Sequence, residues 1–333
     1  TEDVKYFFNV GYLDQDAMWT SNSTQFKRYN LRSNLSAKIN KRLTAELNLS
    51  GRLEDLQAPG VGSGLIMATI KRLSPMSPIY ANNNPNYLAP SNVDQNTLAQ
   101  TDSDISGYTN NRKKFFSGIA RLTYDLPWVD GLNAKATYSY QNTDSENKSY
   151  LRKYNLYRYN SSNDTYTTGY TANDPSNLSV GNDHVDDQTL QFSLNYAKTF
   201  AEKHSVSGLL LFERTSTNSS YLSAYREFLL DNLDELFAGV PTNQSNDGSS
   251  AEIAREGYVG KFNYDYAGKY LLEAGFRYDG TYKVAKDQRF GFFPNVSVGW
   301  RINEENFLKD VTALDTLKLR ASFGKVGDDG GND

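Results

Sequence analysis

The chain has 333 residues, with 24 Tyr, 17 Phe, no Cys, 2 His and a formal net charge of −4. The lack of cysteine excludes disulfides and thiolate metal centres. The acidic balance argues against nucleic acid, which wants a basic surface. Mean hydropathy is −0.65. No run of about 18 apolar residues occurs, so a transmembrane helix is excluded. A transmembrane barrel is not, because only alternate strand residues meet lipid.

The opening residues, TEDVKYFF, lack a basic and then apolar signal segment. If the protein is exported, this is a mature or an internal piece. The first strand is read at Asp3–Tyr12, with Val4, Tyr6, Phe8, Val10 and Tyr12 on one face. The second runs from about Phe26 to Ile39, where Tyr29, Leu31, Leu35, Ala37 and Ile39 alternate with Arg28, Asn30, Arg32, Asn34 and Lys38. After a polar turn, Asn40–Arg42, Leu43–Glu54 gives the clearest pattern of the chain. Leu43, Ala45, Leu47, Leu49, Gly51 and Leu53 share one parity; Thr44, Glu46, Asn48, Ser50, Arg52 and Glu54 share the other. Its length is close to the ~9–11 residues a tilted strand needs to cross a bilayer. Its charged face suits a water-filled lumen.

A long connection rich in Asn, Pro and Ser follows, Asp55 to about Asn111, with a helix-like patch near Leu65–Leu73. Strands four and five alternate around Phe116–Leu126 and Leu132–Gln141, joined by the turn Pro127–Gly131. The second long connection, about Asn142–Asp186, contains a Tyr-rich stretch that reads as a hairpin beyond the membrane. Strand six spans Leu190–Tyr196; strand seven, Ser205–Glu213, is apolar on both faces. A third long connection, Thr215–Ala254, carries a helical pattern over Tyr221–Gly239, with Gly239 as its stop. Strands eight and nine form a hairpin around Ala267–Lys269; strand ten carries Val296, Val298 and Trp300. A helix-like NEENFLKD leads to strand eleven, Leu317–Gly324.

Aromatic residues are expected at strand ends: Tyr12, Tyr124, Tyr140, Tyr196, Tyr258, Tyr266, Tyr270, Tyr278 and Trp300. Leu, Ala, Val and Gly fill the middles, the girdle arrangement of a barrel in lipid. Short and long connections alternate, so short turns are assigned to the periplasmic rim and long loops to the outside. The expected fold class is all-β, an antiparallel transmembrane β-barrel of which this chain supplies roughly eleven strands. An odd count leaves both edges bare, and unpaired backbone in lipid costs several kcal/mol per group, roughly. Residues 1–333 are therefore read as one partial barrel domain, an internal portion lacking the beginning and end of the barrel.

Four stretches resemble the SusC/RagA family, the TonB-dependent outer-membrane transporters of Bacteroidetes-type bacteria. They are FKRYNLRSNL (Phe26–Leu35), GYVGKFNYDYAGKYLLEAGFRYDGT (Gly257–Thr281), FGFFPNVSVGWRINEENF (Phe290–Phe307) and LKLRASFGKVGDD (Leu317–Asp329). They occur in the family's order; Thr281-Tyr282 departs from it, where small serines more often follow Asp-Gly. The resemblance implies a plugged barrel of about twenty-two strands, of which this is near half. It also implies a plug domain and a TonB-contacting segment outside this chain, a SusD-like surface lipoprotein as lid, and import of oligosaccharides or peptides driven by TonB and the proton-motive force. The implied location is the bacterial outer membrane.

Candidate substrate-path or plug-anchoring residues face the wet side: Arg28, Arg32, Glu46, Arg52, Glu54, Arg121, Lys135, Lys261, Arg277 and Arg320. Any water-filled lumen also needs such residues. Tyr150, Tyr154, Tyr157, Tyr159, Tyr166 and Tyr170 offer flat apolar faces with a hydroxyl, suited to sugar rings or to packing the loop on itself or on the lipoprotein. Asp183, His184, Asp186 and Asp187 form an acidic cluster whose carboxylates could take a hard cation, and Asp328–Asp333 has a similar composition, but neither has the spacing of an EF-hand. Both are expected to be solvated turns. No GxSxG, HExxH or phosphate-loop string occurs, so neither an enzyme nor a cofactor is expected. A glycosidase working through carboxylates alone would leave no such string. Two other functions fit the strands: a passive porin, and a soluble β-rich carbohydrate-binding protein whose apolar face would meet a second sheet.

Overall fold

The computed structural model describes residues 3–19, 21–230, 233–308 and 315–328. The chain order of the elements gives the architecture. Strands β1 (Val4–Asp16), β2 (Gln25–Lys38) and β3 (Leu43–Pro59) are followed by helix α1 (Ser63–Arg72) and the short helices α2 (Thr97–Thr101) and α3 (Ser103–Ser106). Then come β4 (Gly107–Asp125) and β5 (Leu132–Leu151), a separate hairpin of β6 (Tyr154–Asn160) and β7 (Thr165–Ala172), and β8 (Ser176–Phe200) and β9 (His204–Phe228). Strands β10 (Ser245–Tyr266), β11 (Tyr270–Thr281), β12 (Phe290–Arg301) and β13 (Lys318–Gly324) complete the chain.

All but β6 and β7 join one eleven-stranded sheet in which each strand pairs antiparallel with the next. No register shift interrupts this sheet among the described residues. The alternation in the sequence therefore carries across it intact: one face is apolar and the other polar. In an unbroken antiparallel meander, alternate connections fall on opposite rims. The turns at residues 39–42, 126–131, 201–203 and 267–269 share one rim; connections 17–24, 60–106, 152–175 and 229–244 share the other. The turn rim is built for tight reversal. The Asn40 side chain accepts from the amides of Arg42 (2.8 Å) and Leu43 (3.0 Å). Gly131 has φ +85°, and a Cβ there would lie 2.2 Å from the Ala197 carbonyl oxygen.

The apolar face is unpartnered. Leu47, Leu122, Leu194, Leu210, Phe262 and Val298 are each more than one-third exposed, and no second sheet covers them among the described residues. The second sheet that the soluble carbohydrate-binding alternative expects over this face does not occur among the described residues. The tightly buried residues lie instead in the loop rim: Ile66, Ala81, Ala89, Ala99, Leu156 and Ala172 in the connections, and Tyr150, Leu178 and Phe228 at the strand ends that approach them. A single sheet with an uncovered apolar face has no dry core of its own, so the compact packing of this chain sits at the loop rim, beyond the apolar band.

Aromatic rings pair along the apolar face near both limits of the band. Tyr12 meets Tyr29 at 5.0 Å and Phe212 meets Tyr258 at 5.3 Å toward the loops. Tyr266 and Tyr270 stack at 6.2 Å on the turn side, where the Tyr270 hydroxyl (2.7 Å) and Trp300 Nε1 (3.2 Å) both donate to Glu305. The girdle thus marks the ends of the apolar band, not always the ends of the strands: Tyr140 lies within β5, which continues to Leu151.

The strands are much longer than the alternation suggests. β8 and β9 have 25 residues each. At a rise of ~3.3 Å per residue, each spans about 80 Å, well beyond a bilayer. The three long connections shrink accordingly, to residues 60–106, 152–175 and 229–244. The helical reading of Tyr221–Gly239 is overturned. β9 continues to Phe228, only a short turn at Leu236–Ala238 is helical, and Gly239 has an ordinary φ of −71°. Residues 231 and 232 lie outside the described set. Leu222, Ala224 and Phe228 fit strand parity as well as a helix face, and the ladders to β8 and β10 decide between them. The patch near Leu65–Leu73 is helical as read, as α1. NEENFLKD gives one short helical turn, Ile302–Glu304, with Lys309 and Asp310 outside the described residues.

Candidate functional site

Strand parity places Arg28, Arg32, Glu46, Arg52, Glu54, Arg121, Lys135, Lys261, Arg277 and Arg320 on the polar face together. Six are tied into short ion pairs. Arg121 reaches Glu46, its cross-strand partner, at 3.1 Å. Arg52 meets Glu54 at 3.2 Å and lies over the Phe115 ring, 5.3 Å from its centre. Lys261 pairs with Glu273 at 2.9 Å, and Arg277 binds both carboxylate oxygens of Asp279 at 2.9 and 3.0 Å. Arg28, Arg32, Lys135 and Arg320 make no ion pair among the described residues. Arg28 Nε is shielded from solvent with no acceptor.

The tyrosines divide into two groups. Tyr157, Tyr159 and Tyr166 of the β6–β7 hairpin gather around Tyr87 of the 60–106 connection. Tyr87 stacks on Tyr166 at 3.9 Å with 7° between planes, and meets Tyr157 edge-on at 5.1 Å. Tyr159 lies 5.1 Å from Tyr166, and its hydroxyl donates to Asp164 at 2.9 Å. The backbone follows, with the Tyr157 amide donating to the Leu88 carbonyl at 2.6 Å. Tyr154 is turned into the assembly, and burial pushes its phenol up to about 12. Tyr170 stays exposed. Tyr150 does not belong to a loop. It is the penultimate residue of β5, fully buried against Leu178 and Phe228, and has no face free for a sugar. Tyr87 was missed in the sequence because NPNYL has no periodicity to mark it.

These connections form one assembly. Connection 17–24 joins it through Ser23, whose Oγ accepts from the Ser103 amide at 2.9 Å. Asn96 organises the centre, donating to the carbonyls of Ile79 (2.8 Å) and Ala89 (2.9 Å) and capping α2 at Ala99 (3.1 Å). Connection 229–244 folds back on the apolar-face side of the strand ends. Leu236 covers the Tyr150, Leu178 and Phe228 cluster. Asp234 accepts from the Tyr108 hydroxyl and pairs with Lys148 at 3.1 Å. Burial alone would lower the Lys148 ammonium, but the hydrogen bond to Asp234 opposes it and the pKa stands at about 12.

The acidic quartet at 183–187 is not a turn. It lies inside β8, where alternation sends His184 and Asp186 to one face and Asp183 and Asp187 to the other. His184 bridges two strands, with Nδ1 2.6 Å from Asp144 of β5 and Nε2 2.8 Å from Asp186. Tyr140 (2.6 Å) and Asn142 (3.1 Å) also donate to Asp186. On the opposite face, Asp187 accepts from Thr217 at 2.5 Å. No group of three metal-ligating side chains converges among the described residues. Of Asp328–Asp333, only Asp328 lies within the described set.

No family model matches the chain. A TonB-dependent receptor of Formosa agariphila is 26% identical over 331 residues, covering 98% of this chain and 30% of that receptor. SusC of Bacteroides thetaiotaomicron, also a TonB-dependent receptor, is 47% identical over 70 residues, which is 21% of this chain and 7% of SusC. Two solved structures of RagAB, one titled a peptide transporter and one a peptide importer in its open-open state, superpose with TM-scores of 0.69 and 0.71. Their identities are 18% and 17%, and each match covers 97% of this chain and 35% of theirs. The chain is similar to TonB-dependent receptors over nearly all of its length, and to SusC over 70 residues. It spans about a third of the length of the relatives it matches. In a SusC-like receptor the apolar face of the sheet meets the lipid of the outer membrane, and the polar face lines the lumen. The relatives are receptors and transporters rather than enzymes.

Proposed function

We propose that this chain forms eleven strands of a larger plugged barrel that imports oligosaccharides or peptides across the outer membrane. TonB and the proton-motive force supply the energy, and a SusD-like lipoprotein closes the loop rim. The observation that carries this reading is the pairing of an open meander, apolar on one face, with a dense loop assembly on one rim among the described residues. A lumen of this width exceeds what side chains can fill, which calls for a plug. The bare edges of β1 and β13 call for further strands, because lipid offers no substitute hydrogen bonds. The loop assembly, held by Tyr87, Tyr166 and Asn96, gives a broad polar surface suited to a lid. The candidate lumen residues would then contact plug or cargo.

The test is uptake by cells carrying the full-length gene on the chromosome. Growth on a glycan or peptide mixture should be lost on deleting this gene, and lost equally on deleting TonB. A tagged receptor should retain a surface lipoprotein on purification. Uptake that survives TonB loss, with open-channel conductance of the purified protein in planar bilayers, would establish the porin reading instead.

A further inference from the structure

The polar face is not uniform in charge. Toward the loop rim of β2–β4, Arg28, Arg32, Arg52 and Lys113 share the surface with one carboxylate, Glu54. Register makes this a compact patch. Arg28, Glu54 and Lys113 occupy one row across three adjacent strands, and Arg52 lies beside them in the next inward position. Strand spacing of ~4.8 Å puts Arg28 and Lys113 about 10 Å apart. Arg32 lies one further row in, opposite Ser50. The flanking residues on this face, Leu13, Asn30 and Ser145, carry no charge. The next carboxylate along the row, Asp183, stands two strands beyond Lys113.

Glu54 is already engaged by Arg52. Arg28, Arg32 and Lys113 therefore lack an ion pair, in a chain that is acidic as a whole. The patch is also partly preorganised. Phe115 supports the Arg52 guanidinium from below, and Arg28 holds a shielded Nε–H with no acceptor. A buried donor without a partner is costly unless another group completes it. The depth is informative. Arg28 neighbours Tyr29, whose ring pairs with Tyr12 at the loop-side limit of the lipid band. A solute descending from the loop rim meets this patch at the start of the membrane.

Resting on the importer reading above, we propose that Arg28, Arg32, Arg52 and Lys113 capture the carboxylates of an acidic oligomer entering from the loop rim. Guanidinium groups bind carboxylates bidentately, and lining one wall of a wide lumen they both attract and orient such a cargo. On β10 and β11, by contrast, Lys261 and Arg277 are each matched by a carboxylate.

The test uses the purified full-length receptor and four probes: oligogalacturonate, its methyl ester, oligoglutamate and oligoglutamine. Calorimetry at low and high salt is expected to show one acidic probe binding and its neutral counterpart failing, with affinity falling as salt rises. The acidic probe that binds tells a sugar from a peptide source. Arg28→Gln with Arg32→Gln is expected to weaken that probe about tenfold or more, the loss of charge-assisted hydrogen bonds. Lys41→Gln on the turn rim serves as the control. Equal binding of acidic and neutral probes, or no binding of either, overturns the proposal. So does a double variant that binds normally but leaks large antibiotics into cells, because the patch then seats carboxylates of the plug. Either failure alongside intact TonB-dependent uptake leaves the importer reading standing.

Discussion

Tyr87 lies flat on Tyr166, 3.9 Å between ring centres, and so joins the 60–106 connection to the tip of the β6–β7 hairpin. The two residues are far apart in sequence; beside the stack, Asn84 reaches the Tyr166 hydroxyl at 3.4 Å, and the Arg158–Asp94 pair is long at 3.5 Å and solvent-exposed. Tyr87→Ala and Tyr166→Ala should each loosen the hairpin. The double variant should be little worse than either, with a coupling of about 0.5–1.5 kcal/mol for an aromatic pair. Native-state proteolysis at Asn160–Asp164, the exposed turn of the hairpin, reads this directly. Strict additivity would show that the stack holds nothing.

A second prediction concerns connection 229–244. Asp234 is its polar anchor, receiving the Tyr108 hydroxyl and the Lys148 ammonium, and Leu236 is its apolar one. Asp234→Asn keeps the shape and removes the charge. It should weaken the anchor by about 1 kcal/mol or less, as partly exposed ion pairs do. Leu236→Ala should cost more, because it uncovers Tyr150, Leu178 and Phe228. Hydrogen exchange of the amides at 236–240 should rise in the order wild type, Asp234→Asn, Leu236→Ala. The reverse order would show that charge, not apolar cover, holds the loop.

What the sequence disclosed and what it hid have a common physical cause. Leu43–Glu54 was legible because lipid on one side and water on the other force strict alternation, and the structure pairs it without a bulge to β2 and β4. The lumen candidates followed from the same parity. Above the band that contrast ends, since water lies on both sides. Asn142–Leu151 and Ser176–Asp186 then look like loop although their ladder runs unbroken. Tyr150 was misassigned for this reason, and Tyr221–Phe228 read as helix. The Tyr87 contact was illegible because it depends on two connections meeting in space, which no local pattern records.

A third prediction is a pH response of the β5–β8 extension. His184 sits beyond the apolar band, six residues from Leu190 along β8. Its partner Asp144, and then Asp186, hold its pKa above the ordinary imidazole value. Hydrogen bonds from Tyr140, Asn142 and His184 hold Asp186 below the ordinary carboxylate value. A raised histidine contributes stability that is fully present below its unfolded pKa and is lost as pH rises through the folded one. A lowered carboxylate contributes stability present above its unfolded pKa and lost as pH falls through the folded one. The tie is therefore strongest in mildly acidic solution, between those two limits. Protection of the amides around Asp144 and Asp186, corrected for intrinsic exchange, should decline from pH 6 toward pH 9. His184→Gln should abolish that slope. A slope that survives in the variant would place the titrating group elsewhere.

The last prediction follows from one row of register partners. Leu47, Ala120, Tyr138, Leu190, Arg214 and Glu256 stand opposite one another across β3, β4, β5, β8, β9 and β10, all on the lipid-side parity. From the middle of the apolar stretch of β3 the row reaches two charged residues, Arg214 and Glu256, on β9 and β10. Since the row is perpendicular to the strands, the strands must be inclined to the membrane, as barrel closure demands. Depth then changes along the row in a way that substitution can read. Leu47→Arg in the full-length receptor should cost ~2–4 kcal/mol of barrel stability, the midplane value for a lipid-facing Arg. Tyr138→Arg, at the limit of the band, should cost about 0–1 kcal/mol. Asn48→Arg, next to Leu47 but turned to the lumen opposite Ile119, should also be tolerated. Folding yields into lipid vesicles, measured by the heat-modifiable shift of the folded barrel, should rank Leu47→Arg lowest. Equal losses for Leu47→Arg and Tyr138→Arg would remove the incline; equal losses for Leu47→Arg and Asn48→Arg would remove the two-faced wall on which the importer reading rests.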